Sequence, residues 1–375
     1  MTFTFSEEQT ILRDSAREFV RDRAPVTRFR KSRDDKKNGR DPELWGEMAG
    51  LGWTGIIVPE QFGGAGLGYV GLGLVLEETG RKLVSSPLLS TAMIGASALL
   101  LGGSEAQKSK WLPRIASGDL ITALAVDESA HHAPERISVT ATKSGTGYAL
   151  TGQKRFVADG HIAGLLIVPA RTSGKTGDTS GITLFLVEAD AKGVTRQELV
   201  TVDSRGAADI TFTGAAAEPI GTIDAGGKLL DQVLDRARIG LAAEMLGQAL
   251  EEFEITSDYL KTRRQFGQVI GGFQALQHRA AKMFTDIELT RSCVIAALDA
   301  LDRNADNIAE WASLAKSRAC DTLHVVSNET VQMLGGIGMT DAHEAGLYLK
   351  RARVAEGLYG GSSYHRDRYA RQLGF

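Results

Sequence analysis

Cysteine is nearly absent: Cys293 and Cys320 are the only two in 375 residues. Both fall inside helical patterns, which argues against a disulfide framework or a cysteine-based metal site and predicts buried free thiols. An excess of one charge is also missing. The 43 Lys and Arg set against 46 Asp and Glu leave a formal net charge of -3, so nothing electrostatic points to nucleic acid or an anionic membrane as partner. No apolar run is long enough to cross a bilayer; the most apolar stretch, Thr91–Leu101, is short and bounded by Gly102, Gly103 and Ser104. Ser6, Glu7 and Glu8 stand where a secretory signal would place basic residues ahead of an apolar core. No such signal is expected, and the cytoplasm is the expected compartment. Internal repeats and low-complexity tracts are lacking as well.

What is present reads as an ordinary globular protein, 43% hydrophobic and 24% charged, long enough for two or three packed subdomains. The first third has helical periodicity. Phe5, Ile11, Leu12, Ala16, Phe19 and Val20 recur at helical spacing, with Ser6 as N-cap and Gln9 placed to complete a capping box. Further helices are predicted over Pro42–Leu51, Val70–Leu83, Leu88–Leu101 and Ser104–Ile115. After Gly118 the period shortens: Tyr148–Leu150, Lys154–Val157, Gly164–Ala170, Thr183–Val187 and Asp209–Phe212 are β-type runs. The polar segment Thr172–Gly181 reads as a mobile hairpin tip. From Lys228 the helical period returns, with helices predicted over Lys228–Arg264, Arg279–Asp302 and Ile308–Leu334 and a short one from Asp341. The expectation is a mainly α chain with a small central antiparallel β domain, divided at residues 1–118, 119–226 and 227–375.

Two C-terminal segments carry the most chemistry. The first is Arg263–Arg264–Gln265–Phe266–Gly267, followed by Phe273–Gln274–Ala275–Leu276–Gln277–His278; the second is Gln332–Met333–Leu334–Gly335–Gly336–Ile337–Gly338. Arg263 offers a charged fork suited to a pyrophosphate. The glycines let backbone amides approach an anion, and Gln274 and Gln332 can hydrogen-bond phosphate or adenine edges. Taken alone, each has an ordinary alternative: a helix-end glycine is usually a cap, and Arg-Arg is usually a solvated face.

Together, with Pro59–Glu60–Gln61–Phe62–Gly63–Gly64–Ala65–Gly66–Leu67, Glu77–Glu78–Thr79–Gly80 and Gly152–Gln153–Lys154, the chain resembles the acyl-CoA dehydrogenase family over essentially its whole length. The resemblance implies a helical N-terminal domain, a β domain and a C-terminal four-helix bundle. It implies FAD held in extended form between the sheet domain and the bundle. Arg263, Phe266, Gln274, Gln332, Gly335 and Gly336 would serve the ADP half across a subunit interface in a dimer of dimers. Phe156, Ala158 and Ser362 would belong to the cofactor too, and Arg238 and Tyr359 to an acyl-CoA substrate. The family's reaction is α,β-dehydrogenation of the thioester to the 2-enoyl-CoA: a carboxylate takes the α-proton while the β-hydride passes to flavin N5. An electron-transfer flavoprotein is the implied electron acceptor.

Departures from the pattern cluster at the base. The family's glutamate after tyrosine is here Gly360, within Tyr359–Gly360–Gly361–Ser362–Ser363, and the alternative place, ahead of Arg238 on the long helix, holds Ala237. Glu244, about two turns further along, is the candidate substitute, since a carboxylate among Leu241, Ala242, Ala243, Met245 and Leu246 is costly unless functional or paired. An ion pair with a basic residue of another helix or subunit is the equally weighted alternative; Asp235 is a weaker candidate. Gly360 keeps its backbone N–H as a donor for the thioester carbonyl, and its missing side chain leaves room for a bulky acyl group. The flavin-covering strand has Phe156 and Ala158 where the family often has tryptophan and a hydroxyl. Asp127–Glu128–Ser129–Ala130–His131–His132 replaces the usual glutamate–proline–glycine–serine loop, and Tyr364–His365–Arg366 replaces a glutamine-bearing run. The adjacent histidines read as incidental to the loop, so no metal is expected. Three readings stand: an enzyme with an unconventional base, a companion subunit beside a paralogue that holds the base, and a binding protein without flavin.

Overall fold

The computed structural model describes residues 4–145 and 147–375. Helix α1 (Glu7–Arg23) opens with the expected capping box: Gln9 N–H donates to Ser6 Oγ at 3.1 Å and Ser6 N–H to Gln9 Oε1 at 3.0 Å. Ser104 and Gln107 repeat the device at α6 (Glu105–Ala116). Between them lie α2 (Val26–Asp34), α3 (Pro42–Gly50), α4 (Gly68–Arg81) and α5 (Ala96–Gly102). The stretch before α5, expected as plain helix, is a π-type segment over Leu89–Gly95. Helix α2 escapes the sequence pattern because its composition, VTRFRKSRD, is mostly polar. Val26 and Phe29 nonetheless bury it against Leu83, Leu347 and Tyr348.

Among the described residues seven strands follow: β1 (Thr122–Leu124), β2 (Thr140–Ser144), β3 (Gly147–Ala158), β4 (Leu165–Arg171), β5 (Ile182–Glu188), β6 (Val194–Leu199) and β7 (Ala207–Ile220). The pairings β4–β2–β3–β7–β5 return to β4, so the sheet closes on itself. It is mostly antiparallel, as expected, but β1 runs parallel to β4, with Thr122 opposite Leu165. Leu150, Val157, Leu166, Val168, Phe185 and Ile210 fill its inside. The connection from β4 to β5 is the polar segment read as a hairpin tip. It is held down by Arg171, whose guanidinium donates to the carbonyls of Ser180 at 2.9 Å and Asp178 at 2.7 Å.

Helix α7 (Gly226–Thr262) leads to a two-stranded hairpin, β8 (Arg264–Gln265) and β9 (Gln268–Val269). Then come α8 (Gln274–Asp302), α9 (Ile308–Leu334), α10 (Ala345–Gly357) and α11 (Ser362–Gln372). Helix α9 packs on α8, α10 and α11. Its tie to α7 includes Thr256 Oγ1 to Thr330 Oγ1 at 3.0 Å. The chain forms two compact units. One gathers Met1–Lys31, Gly73–Val84 and Arg238–Phe375; the other gathers Ser32–Leu72 and Ser85–Ala237. Among the described residues no helix is long and apolar enough to cross a membrane.

Candidate active site

In the helical unit, the loop between α10 and α11 is fixed by buried cations. Lys316, in α9, is fully buried, and its ammonium donates to the carbonyls of Ala355 at 3.0 Å, Glu356 at 3.3 Å and Gly360 at 3.1 Å. It also donates to Cys320 Sγ at 3.1 Å. Burial lowers the Lys316 pKa, opposed by Cys320 and Glu356. Arg238, also fully buried, donates through Nε to Tyr359 O at 3.3 Å and through Nη2 to Tyr364 Oη at 3.1 Å. Its Cζ lies 5.5 Å from the Tyr364 ring centroid. His365 Nε2 is 3.1 Å from Tyr359 O. Its pKa falls to about 2 because burial, then the charges of Arg238, Lys316 and Arg368, disfavour the imidazolium.

Within this cage Tyr359 and Gly360 have φ of +58° and +103°. A Cβ at Gly360 would stand 2.5 Å from Tyr364 Cδ1 and 3.0 Å from His365 Nε2. The expected gap is therefore not open space: side chains from α11 occupy it. The Gly360 N–H faces Gly357 O at 3.3 Å, a long turn contact. Tyr359 is buried, and its carbonyl joins Arg238 to His365. Ser362, assigned to the cofactor from sequence, donates to Asp321 Oδ1 at 2.8 Å and lies 3.2 Å from Ser317 Oγ.

Glu244 is committed elsewhere. Its Oε1 accepts from Arg351 Nη2 at 2.9 Å and Nε at 3.3 Å, with the two side chains 3% and 7% exposed. This corrects the reading of Glu244 as the base: the carboxylate neutralises a buried guanidinium of α10, the alternative weighed from its apolar neighbours. Asp235 is buried. Both thiols are free, Cys320 buried as expected but Cys293 only half-buried.

The segments assigned to the ADP half lie on the surface of the helical unit. Arg263, Gln274 and Gln332 are exposed, and none makes a side-chain hydrogen bond or ion pair among the described residues. Phe266 is 87% exposed at the tip of the β8–β9 hairpin. It takes φ +51° and Gly267 takes +78°, the two left-handed residues of a type I′ turn. Its ring stands edge-on to Phe273 at 6.0 Å. Gly335 and Gly336 are exposed, but the Gly335 N–H caps α9 by donating to Gln332 O. A helix C-terminus carries partial negative charge, so the end of α9 does not by itself attract a pyrophosphate. Gly338 is buried and packed against Val331.

In the sheet-bearing unit, Phe156 lies at a bulge where the β3–β7 register shifts between Lys154 and Val157. It is 59% exposed with φ +53°, and its N–H donates to Asp209 Oδ1 at 2.9 Å. Ala158 ends the strand opposite Ala207. Two residues before Phe156 in the same strand, fully buried Lys154 bonds Val126 O at 3.0 Å and Glu128 Oε1 at 2.6 Å. Glu128 also accepts from Ser138 N at 2.8 Å and Val139 N at 3.1 Å, so the pair clamps the loop between β1 and β2. His132 Nδ1 lies 3.0 Å from Asp127 Oδ1, and His131 is exposed.

Family comparisons match three consecutive domains: acyl-CoA dehydrogenase N-terminal domain over residues 6–119, middle domain over 124–215 and C-terminal domain over 224–374. The chain belongs to the acyl-CoA dehydrogenase family. It is 33% identical to isovaleryl-CoA dehydrogenase of Pongo abelii, with 94% of this chain and 85% of that protein covered. Butyryl-CoA dehydrogenase from Megasphaera elsdenii superposes with a TM-score of 0.93 at 27% identity, all of both chains covered. A chain of the ChsE4-ChsE5 complex from Mycobacterium tuberculosis gives 0.88 at 27% identity, covering 100% of this chain and 99% of that one.

As a member of this family of flavoprotein oxidoreductases, the chain shows which of its site residues a sequence leaves hidden. Lys154 was visible only as part of a motif, and its partner Glu128 only as part of an altered loop. Lys316 was missed, although it shares the buried face of α9 with Ala312, Ala315 and Ala319; a lysine on such a face signals a buried cation. Arg351 was missed too. The residues present fit FAD in one definite respect: Arg263, Gln274 and Gln332 are displayed with no side-chain hydrogen bond or ion pair among the described residues, and Phe266 is exposed at the hairpin tip. Phe156 likewise presents an aromatic side chain, held at a bulge in a conformation rare outside glycine.

Proposed function

We propose that the chain catalyses FAD-dependent α,β-dehydrogenation of an acyl-CoA thioester to the 2-enoyl-CoA. The observation that carries this reading is the exposed state of Arg263, Gln274 and Gln332, whose side chains make no hydrogen bond or ion pair among the described residues, beside Phe266, 87% exposed at the hairpin tip. With Gly335 and Gly336, these residues would hold the ADP half of FAD from a neighbouring chain in a dimer of dimers. Phe156 and Ala158 would lie against the ring system. Bound FAD would accept the hydride lost from the β-carbon. The protein's part is to orient the thioester and handle the α-proton, which needs preorganised donors at the thioester oxygen and exclusion of water. The Gly360 N–H is such a donor once its long contact with Gly357 O opens, and Arg238 and Lys316 keep the loop in register. A separate electron-transfer flavoprotein would then reoxidise the cofactor.

The direct test is flavin retention. Replacing Arg263 by alanine removes one charge-assisted contact to the pyrophosphate, about 1.5–3 kcal/mol, so FAD should bind about 10- to 150-fold more weakly. Equilibrium dialysis or quenching of flavin fluorescence reads this, and unchanged affinity would sink the assignment. A colourless purified chain that takes up no flavin would instead support a binding protein.

In the companion-subunit reading a paralogue would hold the base, since neither Gly360 nor Ala237 carries a carboxylate and Glu244 is paired with Arg351. A chain that reduces flavin only when co-purified with a paralogue would establish it.

A further inference from the structure

Resting on the dehydrogenase reading, we propose that Tyr364 is the group that takes the α-proton. Its ring occupies the place a side chain at position 360 would need, since a Cβ there falls 2.5 Å from Tyr364 Cδ1 and 3.0 Å from Cε1. Its oxygen accepts from Arg238 Nη2 at 3.1 Å, and the second fully buried cation, Lys316, bonds the adjoining Gly360 carbonyl at 3.1 Å. The bare Gly360 and the Tyr364 ring that fills the space beside it are thus one local arrangement.

The sign of the local charge selects between the two side chains that fill this place. His365 would have to become a cation to accept a proton. Arg238, Lys316 and Arg368 all oppose that, and its Nε2 faces Tyr359 O. Tyr364 acts in the opposite sense: a phenolate is the anion that a neighbouring guanidinium stabilises. In the step, Tyr364 Oη has first released its own proton to solvent. The Cα–H bond of the thioester then breaks and its proton passes to Oη. Bound oxidised FAD would supply the acceptor for the Cβ–H, lost as hydride with its two electrons as the Cα=Cβ bond forms. Arg238 and Lys316 are positioning residues in this scheme.

The test uses the FAD-loaded chain. Anaerobic flavin reduction is followed by stopped flow with straight-chain, branched and cyclic acyl-CoA thioesters. A 3-ketoacyl-CoA, whose acidic α-proton can be lost without hydride transfer, reports proton removal by its long-wavelength charge-transfer band with flavin. Tyr364→Phe should slow reduction about 100-fold or more, the scale of general-base catalysis, and abolish the band at unchanged thioester affinity. Tyr369→Phe on the same helix should behave as the parent. Should the phenylalanine variant shed FAD, 2,3-difluorotyrosine at 364 replaces it as the probe. With Arg238, Lys316, Glu356, His365 and Arg368 unchanged around it, the rise of rate should then move to lower pH, and a profile that stays put would overturn the proposal. A Tyr364→Phe variant reduced at the parent's rate overturns the proposal and leaves the dehydrogenase reading standing. A parent that holds FAD but is reduced by none of the thioesters overturns both.

Discussion

The Lys154–Glu128 pair shows how one buried charge organises a loop. Burial brings the Lys154 pKa down to about 8, with Glu128 holding it from falling further. Burial pushes Glu128 up, but Lys154 and the hydrogen bonds from Ser138 and Val139 leave it below its ordinary value. Because the folded pKa of Lys154 is below its unfolded value near 10.5, the unfolded chain binds more protons between about pH 8 and 10.5. This group's contribution to stability therefore rises with pH across that window. Glu128→Gln would leave a buried ammonium without its counter-charge, a loss of about 3–5 kcal/mol at pH 7. Urea denaturation should show the deficit shrinking as pH rises toward and through about 8, where the parent's Lys154 also sheds its proton, and levelling off above it. At Glu244 the expectation is also structural. Glu244→Gln should cost about 3 kcal/mol by stranding Arg351. Glu244→Met with Arg351→Met should cost less than the sum of the single changes, a coupling that a double-mutant cycle in urea would measure.

At the scale of elements, the helical unit depends on a close crossing of α4 and α7. A Cβ at Gly247 would stand 1.8 Å from Glu77 O, and one at Gly80 would stand 2.1 Å from Glu244 O. The glycine of Glu77–Glu78–Thr79–Gly80, quoted from sequence only as a family mark, has this steric cause. Alongside it, buried Glu78 accepts from Arg17 Nη2 at 2.8 Å, fastening α1 to α4. Gly247→Ala must push two backbones apart and should lose at least about 1–3 kcal/mol. Gly346→Ala, in α10 with no atom near its added methyl, should be neutral or stabilise by about 0.5–1 kcal/mol. Thermal unfolding of the two variants side by side checks the contrast. The β8–β9 hairpin belongs to the same scale: five residues of sequence read as a charged motif are in fact a turn that lifts Phe266 clear of the surface.

For the whole molecule, the sequence by itself determined the order of helix, sheet and helix, because hydrophobic period changes from 3.6 to 2 and back as each element meets its core on one face. It determined the caps at Ser6, since a hydroxyl and an amide three residues apart satisfy each other locally. It also determined the family, through motifs spread along the whole chain. Helix α2 and strands β1, β2 and β6 were not legible: they are short or polar, and only their partners make them regular. The parallel β1–β4 ladder and the interleaving of distant segments into two units depend on contacts between residues far apart in sequence. So does the chemistry at Gly360. Sequence showed that a carboxylate was missing, but it could not show that Tyr364 and His365 fill its place, that Arg238 and Lys316 surround the loop, or that Glu244 belongs to Arg351. A charge buried in a low-dielectric interior takes its role from whichever opposite charge the fold brings within about 3 Å, and that distance is set by tertiary structure alone.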